Sequence, residues 1–137
     1  MREMARERGM DLLEFSRYAE SHPEVDREID ERQKELASQG DCVVEGRLSA
    51  YFVPSDFKVW LKADLKVRAS RARGRGDSDA DILKAIKIRE ASERKRYKKF
   101  YNINIKNLSI YDLVLYTTNL TIKETADKVE EETRKRM

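Results

Sequence analysis

Three charged side chains lie at helical spacing in the segment 88–97, IREASERKRY: Arg89, Glu93 and Arg96. Ile82 and Ile86 precede them on the same stripe of a helix with a period of 3.6 residues. Burying an unpaired guanidinium group in a hydrophobic core is energetically costly. The planar guanidinium can instead donate two parallel hydrogen bonds to phosphate oxygens. The stripe therefore predicts a helix that leaves a core and enters an anion site. Taken alone, the segment slightly favours the alternative, a solvated face with an i,i+4 Arg–Glu pair.

A second candidate site is the tripeptide Glu45-Gly46-Arg47, which follows a short apolar run. In an open parallel sheet, ligands bind beyond the carboxyl ends of the strands. Glu45 would then direct an acid into the cleft, where it could hold a water of a Mg²⁺ shell. Gly46 permits close backbone approach, and Arg47 offers a fork for phosphate. The alternative is a strand end that carries a surface ion pair.

A third candidate is a basic segment that contains glycines. Arg68 and Arg71 are one helical turn apart, and Arg73 and Arg75 follow in the sequence RGRG. Such a segment could be a lid that closes over phosphates and excludes water. The alternatives are a solvated helix end, which the helix dipole favours, and an RNA contact, which the absence of interleaved aromatic residues disfavours.

The composition limits the classes of function. The chain has 137 residues, enough for one domain, with 40% charged residues and a net charge of +3, too small to indicate nucleic acid. Residues 1–41 are rich in acid and 62–99 in lysine and arginine, which favours a local anion site. With one cysteine, Cys42, the chain has no disulfide framework, and one cysteine with one histidine argues against a zinc site. Cys42 is expected to be buried. The sequence has no apolar run of membrane-spanning length and no signal peptide, so we expect a soluble, cytoplasmic protein.

The pattern of elements predicts an α/β fold with a parallel sheet. Apolar runs predict three short strands at 42–45, 57–61 and 113–116. Capping patterns predict helices that begin near Asp11, Pro23, Asp64, Ser78 and Thr121, in addition to a helix over 2–8.

The order of these parts resembles archaeal-type cytidylate kinases, which are P-loop nucleoside monophosphate kinases. The segments EGRLSA, FKVWL, REASERKRY and SIYDLV carry the resemblance, which runs from Arg2 to the last helix. It implies a three-layer parallel sheet with flanking helices in a single domain. Within that domain, 10–40 would form a helical monophosphate-binding subdomain, 71–96 the lid region and the remainder the core.

The resemblance implies phosphoryl transfer from ATP to CMP or dCMP, with Mg²⁺. Arg2 and Arg47 match arginines that grip the acceptor phosphate. Glu93 and Arg96 match positions near the sugar and phosphate of CMP. Asp30 lies in the subdomain where the pyrimidine would be selected.

The transfer and donor sides follow from the same resemblance. Arg89 matches an arginine that neutralises the transferring phosphoryl group, and Arg71 shares this catalytic role at the start of the lid. Arg68 and Asn119 fall on the ATP side, the latter near the adenine-binding loop. Glu45 matches the acid near the metal. Catalysis by positioning and charge neutralisation needs no general base. The partners implied are CMP or dCMP and ATP, with neither a membrane nor nucleic acid. A monomer is expected for the full-length family member, and this chain could associate.

One departure from the family concerns the phosphate loop. No G-x-x-x-x-G-K-[ST] motif occurs in residues 1–137. The family's first and second strands are also expected to be missing, the first from the centre of the sheet between 42–45 and 57–61. Three explanations stay open: a fragment, a segment supplied by another chain, or a degenerate relative. We expect impaired kinase activity; the alternative function is non-catalytic RNA binding or degenerate nucleotide binding.

Overall fold

The computed structural model describes residues 1–73 and 79–136 as a mixed α/β fold with a small parallel sheet and flanking helices. The elements described, in chain order, are α1 (Arg2–Glu7), α2 (Leu12–Ala19), α3 (Glu24–Ala37), α4 (Ser49–Phe52), β1 (Val59–Lys62), α5 (Leu65–Ala72), α6 (Asp79–Tyr101), β2 (Leu113–Tyr116) and α7 (Ile122–Arg134).

Local capping explains where several helices begin. The Asp11 carboxylate accepts a hydrogen bond from the Glu14 backbone N–H at 2.8 Å, at the start of α2. Pro23 directly precedes α3, and its fixed φ suits a helix start. Thr121 and Glu124 form a reciprocal capping box at the start of α7. These predicted helix starts are confirmed.

The hydrophobic core lies where the first three helices meet. Its buried members are Met4, Ala5, Phe15, Ala19 and Val25. This cluster fixes the orientation of α3, and the helix α6 packs against both α2 and α5. The helix α6 therefore joins the helical cluster to the part of the chain that carries the sheet.

The sheet consists of β1 and β2 in parallel, with Val59 opposite Leu113 and Lys62 opposite Tyr116. The crossover between them contains α5 and α6, as parallel pairing requires a long connection. Both strands were predicted, at 57–61 and 113–116. Their carboxyl ends lie side by side, so the residues that follow each strand meet at one edge.

The predicted strand at 42–45 is wrong, because residues 42–46 form neither helix nor strand. Val43 is 99% exposed, and Cys42 is exposed rather than buried. An extended segment becomes a strand only when a neighbouring strand takes its backbone N–H and C=O groups. Within the described residues β1 pairs with β2 alone, so the apolar run has no such neighbour.

Two sequence predictions lie outside the described residues: the glycine-containing turn with Arg75, and the cap at Ser78. Of the predicted lid region 71–96, the structure describes residues 71–73 and 79–96.

Among the helices of the described part, none combines the length and the apolar character needed to cross a bilayer.

Candidate functional site

Three guanidinium groups from three parts of the chain converge on two carboxylates of α6. Arg47 precedes α4, Arg68 lies on α5, and Arg89 lies on α6 itself. Arg47 Nε lies 3.2 Å from Glu93 Oε2, and Arg89 Nε lies 3.5 Å from Glu93 Oε1. Glu90 Oε2 contacts Arg68 and lies 3.6 Å from Arg47 Nη2. We call these five residues the arginine cluster.

The arginine cluster carries more positive than negative charge, with three guanidiniums against two carboxylates. The Glu93 side chain is only 8% exposed, and each of its two oxygens lies near one arginine, so Glu93 orients both Arg47 and Arg89. The three guanidiniums remain partly exposed, with donors that can face solvent. Oriented, partly exposed guanidiniums with an excess of positive charge suit a phosphate group. Arg47, Arg89 and Glu93 were all predicted site residues, and the structure brings them together.

Arg96 has a different environment from its neighbours on the predicted stripe. Its side chain is 0% exposed, and Nε lies 2.8 Å from Asp26 Oδ2 on α3. Arg96 Nη1 donates to Ser92 Oγ at 2.8 Å, and Ser92 Oγ donates to the Ser16 carbonyl of α2 at 3.2 Å. In this structure Arg96 therefore ties α6 to α2 and α3. Its predicted role near the CMP sugar and phosphate stays a prediction.

Asp30 lies one helical turn beyond Asp26, also against α6, but it lacks a comparable partner. It is 8% exposed, and Tyr101 Oη donates to Asp30 Oδ2 at 2.9 Å. Among the described residues no lysine or arginine forms an ion pair with Asp30. Burial therefore raises the pKa of the Asp30 carboxyl to about 6, although the Tyr101 hydrogen bond acts in the opposite direction. Burial likewise raises the pKa of the Tyr101 hydroxyl, with the Asp30 hydrogen bond as a further cause.

A close backbone contact connects α3 to the arginine cluster. Gln33 Nε2 donates to the Glu45 carbonyl at 2.8 Å. A Cβ at Gly46 would lie 2.5 Å from that same nitrogen, so a larger residue would displace the Gln33 side chain. The close approach at Gly46 is thus made by the Gln33 side chain of α3. A close approach of a ligand at Gly46 stays a prediction.

An open cleft of about 850 Å³ lies at the carboxyl ends of the two strands. Arg71 Nη1 donates to Thr117 Oγ1 at 2.9 Å, and Arg71 Nη2 to the Thr117 carbonyl and, at 3.4 Å, to that of Leu120. Arg68 Nε donates to the Ala63 carbonyl at 2.9 Å. Both arginines line the cleft, whose other walls are mainly apolar side chains of β1 and α7. This is the position at which α/β folds bind ligands.

The remaining predicted site residues are more peripheral. Arg2 is exposed on α1, and Asn119 is exposed in the turn after β2. Glu45 is exposed, and its backbone carbonyl, not its carboxylate, makes the contact with Gln33. Within the described part of the chain, no three acidic, histidine or cysteine side chains are grouped for a metal ion. The ion pairs of Glu90 and Glu93 that define the arginine cluster involve Arg47, Arg68 and Arg89. The predicted roles of Arg2, Glu45 and Asn119 stay predictions.

Glu90 is the member of the arginine cluster that the sequence analysis missed. It adjoins Arg89 and falls off the 82–96 stripe, so periodicity gives it no weight. The one signal in the sequence was that the stripe holds two arginines and one glutamate, so that a second acid next to it, Glu90, could pair with an arginine. Its partner Arg68 lies 22 residues away and is brought near by the packing of α5 on α6.

Comparison with known proteins gives consistent matches. The model of the cytidylate kinase-like family matches residues 1–119. A cytidylate kinase of Methanocaldococcus jannaschii is 52% identical over 128 residues, covering 89% of this chain and 72% of the relative. A cytidylate kinase of Pyrococcus horikoshii is 50% identical over 119 residues, covering 85% and 62%. One of Methanopyrus kandleri is 46% identical over 136 residues, covering 90% and 70%.

Proposed function

The chain belongs to the cytidylate kinase-like family, and we propose that it takes part in phosphoryl transfer from ATP to CMP or dCMP. The observation that carries this proposal is the arginine cluster, in which Glu90 and Glu93 hold three partly exposed guanidiniums for an anion. The relatives named above are cytidylate kinases, whose substrates carry the phosphate groups that such a cluster fits.

The reaction needs little covalent chemistry from the protein. An oxygen of the acceptor phosphate attacks the γ-phosphorus of ATP, and the bond from that phosphorus to the bridging oxygen of ADP breaks. The attacking oxygen of the acceptor phosphate is already ionised at neutral pH, so no general base is required. Arg47, together with Arg2, would hold the acceptor phosphate, and Arg89 would neutralise charge on the transferring group. Glu93 would position both Arg47 and Arg89, since each of its oxygens contacts one of them.

The donor side would use the cleft beyond the strands. Arg68 and Arg71 line it and would meet the phosphates of ATP, with Arg71 close to the transfer. Asn119 follows β2 and would lie near the adenine. Mg²⁺ usually keeps several waters and is bound by substrate phosphates and one or two carboxylates. Glu45 would meet that requirement as a single carboxylate that holds the ion through a water. The described residues contain no group of three or more acidic, histidine or cysteine side chains that could enclose a metal ion.

The same proposal extends to the fold. We assign β1 and β2 to a larger parallel sheet of the P-loop kinase type, in which a further, central strand lies beside β1. Parallel sheets are normally covered on both faces, and a two-stranded sheet is marginal in water. The 52% exposure of Leu61 on β1 and the mainly apolar cleft support this assignment. A strand and phosphate loop in this position would complete the donor site.

CMP binding tests the proposal directly. We expect CMP to raise the melting temperature of the chain, since a ligand at a hundred times its Kd stabilises by about 2.7 kcal/mol. Arg47→Ala and Arg89→Ala should each abolish most of this shift. Arg94→Ala is the matched control, because Arg94 is exposed on the same helix and lies outside the arginine cluster. An unchanged shift in both cluster variants would refute the site. Salt-dependent RNA binding without stabilisation by CMP would instead support the RNA-binding alternative.

A further inference from the structure

We propose that Asp30 and Tyr101 read the base of the nucleotide and select cytosine over uracil. This inference rests on the proposed function, because it takes a nucleoside monophosphate as the ligand. It adds a specificity-determining role for Tyr101 and a defined hydrogen-bond pattern for Asp30.

Asp30 is a buried acid without an ion-pair partner among the described residues. Asp30 and Asp26 lie one turn apart on α3 and both face α6. Arg96 makes two contacts with Asp26, at 2.8 and 3.3 Å. Asp30 receives only the Tyr101 hydroxyl, on Oδ2. Its second oxygen, Oδ1, has no hydrogen-bond donor among the described residues. Among the described residues no fully buried side-chain oxygen lacks a hydrogen-bond partner, so Oδ1 reaches the molecular surface. A ligand that donates to Oδ1 would take the place of water there and supply the hydrogen bond that the protein does not.

Asp30 lies on the side of α3 that is connected to Arg47 of the arginine cluster. Gln33 lies three residues beyond Asp30, hence on the same side of α3. Its side chain holds the Glu45 carbonyl, two residues before Arg47. A phosphate at Arg47 and a base at Asp30 would therefore lie on adjoining parts of one surface, as the two ends of a nucleotide require.

A pair of aromatic rings lies beside Asp30. The rings of Phe52 and Tyr101 lie with centroids 5.1 Å apart at an angle of 57°. Both residues are half-buried. Aromatic side chains provide flat apolar faces on which any base can stack. The acid at their side would then provide the choice between bases.

The chemistry of the two pyrimidines explains the direction of selection. Cytosine presents a 4-amino group, which donates, and carboxylates commonly accept from it. Uracil presents a carbonyl oxygen at the same position, which would face the lone pairs of Asp30 Oδ1. Tyr101 fixes the orientation of the carboxyl by donating to the other oxygen, Oδ2.

The amide variant gives a test with a predicted sign. In Asp30→Asn, the Tyr101 hydroxyl would still donate to the amide oxygen, so the amide NH₂ would occupy the position of Oδ1. We expect CMP binding, measured by calorimetry, to weaken and UMP binding to strengthen, with the CMP-to-UMP affinity ratio falling roughly ten- to hundredfold. In Asp30→Asn/Tyr101→Phe the amide loses its fixed orientation, so the two nucleotides should bind alike. Glu31→Gln, an exposed acid beside Asp30, should keep the wild-type ratio.

The outcomes separate this inference from the proposed function. Ribose 5-phosphate serves as a probe without a base and should bind wild type and Asp30→Asn equally. If wild type binds CMP and ribose 5-phosphate but Asp30→Asn keeps the CMP-to-UMP ratio, the base-reading inference is wrong and the phosphate site stands. If neither nucleotide nor ribose 5-phosphate binds wild type, the phosphate site and the inference both fail. Circular dichroism of each variant confirms that a lost ratio does not reflect unfolding.

Discussion

The two acids of α3 show how burial and pairing give one residue type different properties. Asp26 and Asp30 are both buried, at 3% and 8% exposure, yet only Asp26 has an arginine partner. The two members of a buried ion pair cannot easily exchange partners, because each charge depends on the other to offset its lost hydration. A buried acid without a cation stays able to exchange protons or partners. The first arrangement holds α3 to α6, and the second is suited to ligand recognition.

The raised pKa of the Asp30 carboxyl should make the unfolding free energy depend on pH. Its pKa is about 6 in the folded chain and near 4 when unfolded, so the folded state binds the proton more tightly. Stability from this group is therefore full below pH 4 and is lost as the pH rises to 6, by about 3 kcal/mol in all. Asp30→Asn removes this loss, so its stability advantage over wild type should grow between pH 4 and 7. Urea unfolding at several pH values measures it, with Glu31→Gln as control. A pH-independent difference would contradict the assignment.

The Asp26–Arg96 pair should behave as one unit in a double-mutant cycle. Arg96→Met leaves the buried Asp26 carboxylate unpaired, which should cost about 3–5 kcal/mol of unfolding free energy. Asp26→Leu/Arg96→Met removes both charges and should recover most of that loss, because no uncompensated buried charge remains. Arg94→Met, an exposed arginine on the same helix, should change stability by no more than about 0.5 kcal/mol. Chemical denaturation of wild type, Asp26→Leu, Arg96→Met and the double variant gives the coupling energy, and simple additivity would show that the residues act independently.

At the scale of elements, local signals predicted more than tertiary ones. The strand β2 begins and ends where its apolar run predicts, and α7 begins at its predicted capping box. The predicted strand at 42–45 also contains an apolar run, but a strand needs a neighbouring strand, and the sequence pattern does not show whether one is present. Glu90 was missed for a related reason, since its contact with Arg68 exists only after α5 docks on α6. The burial of Arg96 likewise depends on α3, 70 residues away.

The helix α7 should depend unusually strongly on its capping box. None of its residues is buried, so packing contributes little to holding it. Thr121 Oγ1 accepts from the Glu124 N–H at 3.1 Å, and Glu124 Oε1 accepts from the Thr121 N–H at 3.0 Å. Thr121→Ala should destabilise the helix by about 1 kcal/mol, which corresponds to about fivefold faster amide exchange. Exchange along α7 should rise while α6 stays unchanged. Lys123→Ala, outside the box, is the control, and equal effects of both changes would argue against local capping.

At the scale of the whole molecule, α6 is the element to which the candidate site belongs. Its carboxylates Glu90 and Glu93 hold arginines that come from the loop before α4 and from α5. Its Arg96 holds α3, and its last residue, Tyr101, holds Asp30. The proposed phosphate and base sites are thus successive positions along one helix. Any shift of α6 would move both together, which favours a fixed distance between the two ends of the acceptor nucleotide.

The two substrates should therefore bind this polypeptide unequally. In the proposed site the acceptor phosphate is held by Arg47, whereas residues 1–137 contain no G-x-x-x-x-G-K-[ST] motif to cradle donor phosphates. We expect CMP to stabilise the 137-residue chain clearly and Mg²⁺–ATP to stabilise it little. Loss of a single transition-state donor commonly costs 10²–10³ in rate, so CMP phosphorylation should be slower by about a thousandfold or more than in the Methanocaldococcus jannaschii relative. Parallel assays of ADP release and thermal shift measure both effects. Turnover comparable to that relative would show that the arginines of the cleft hold the donor without a phosphate loop.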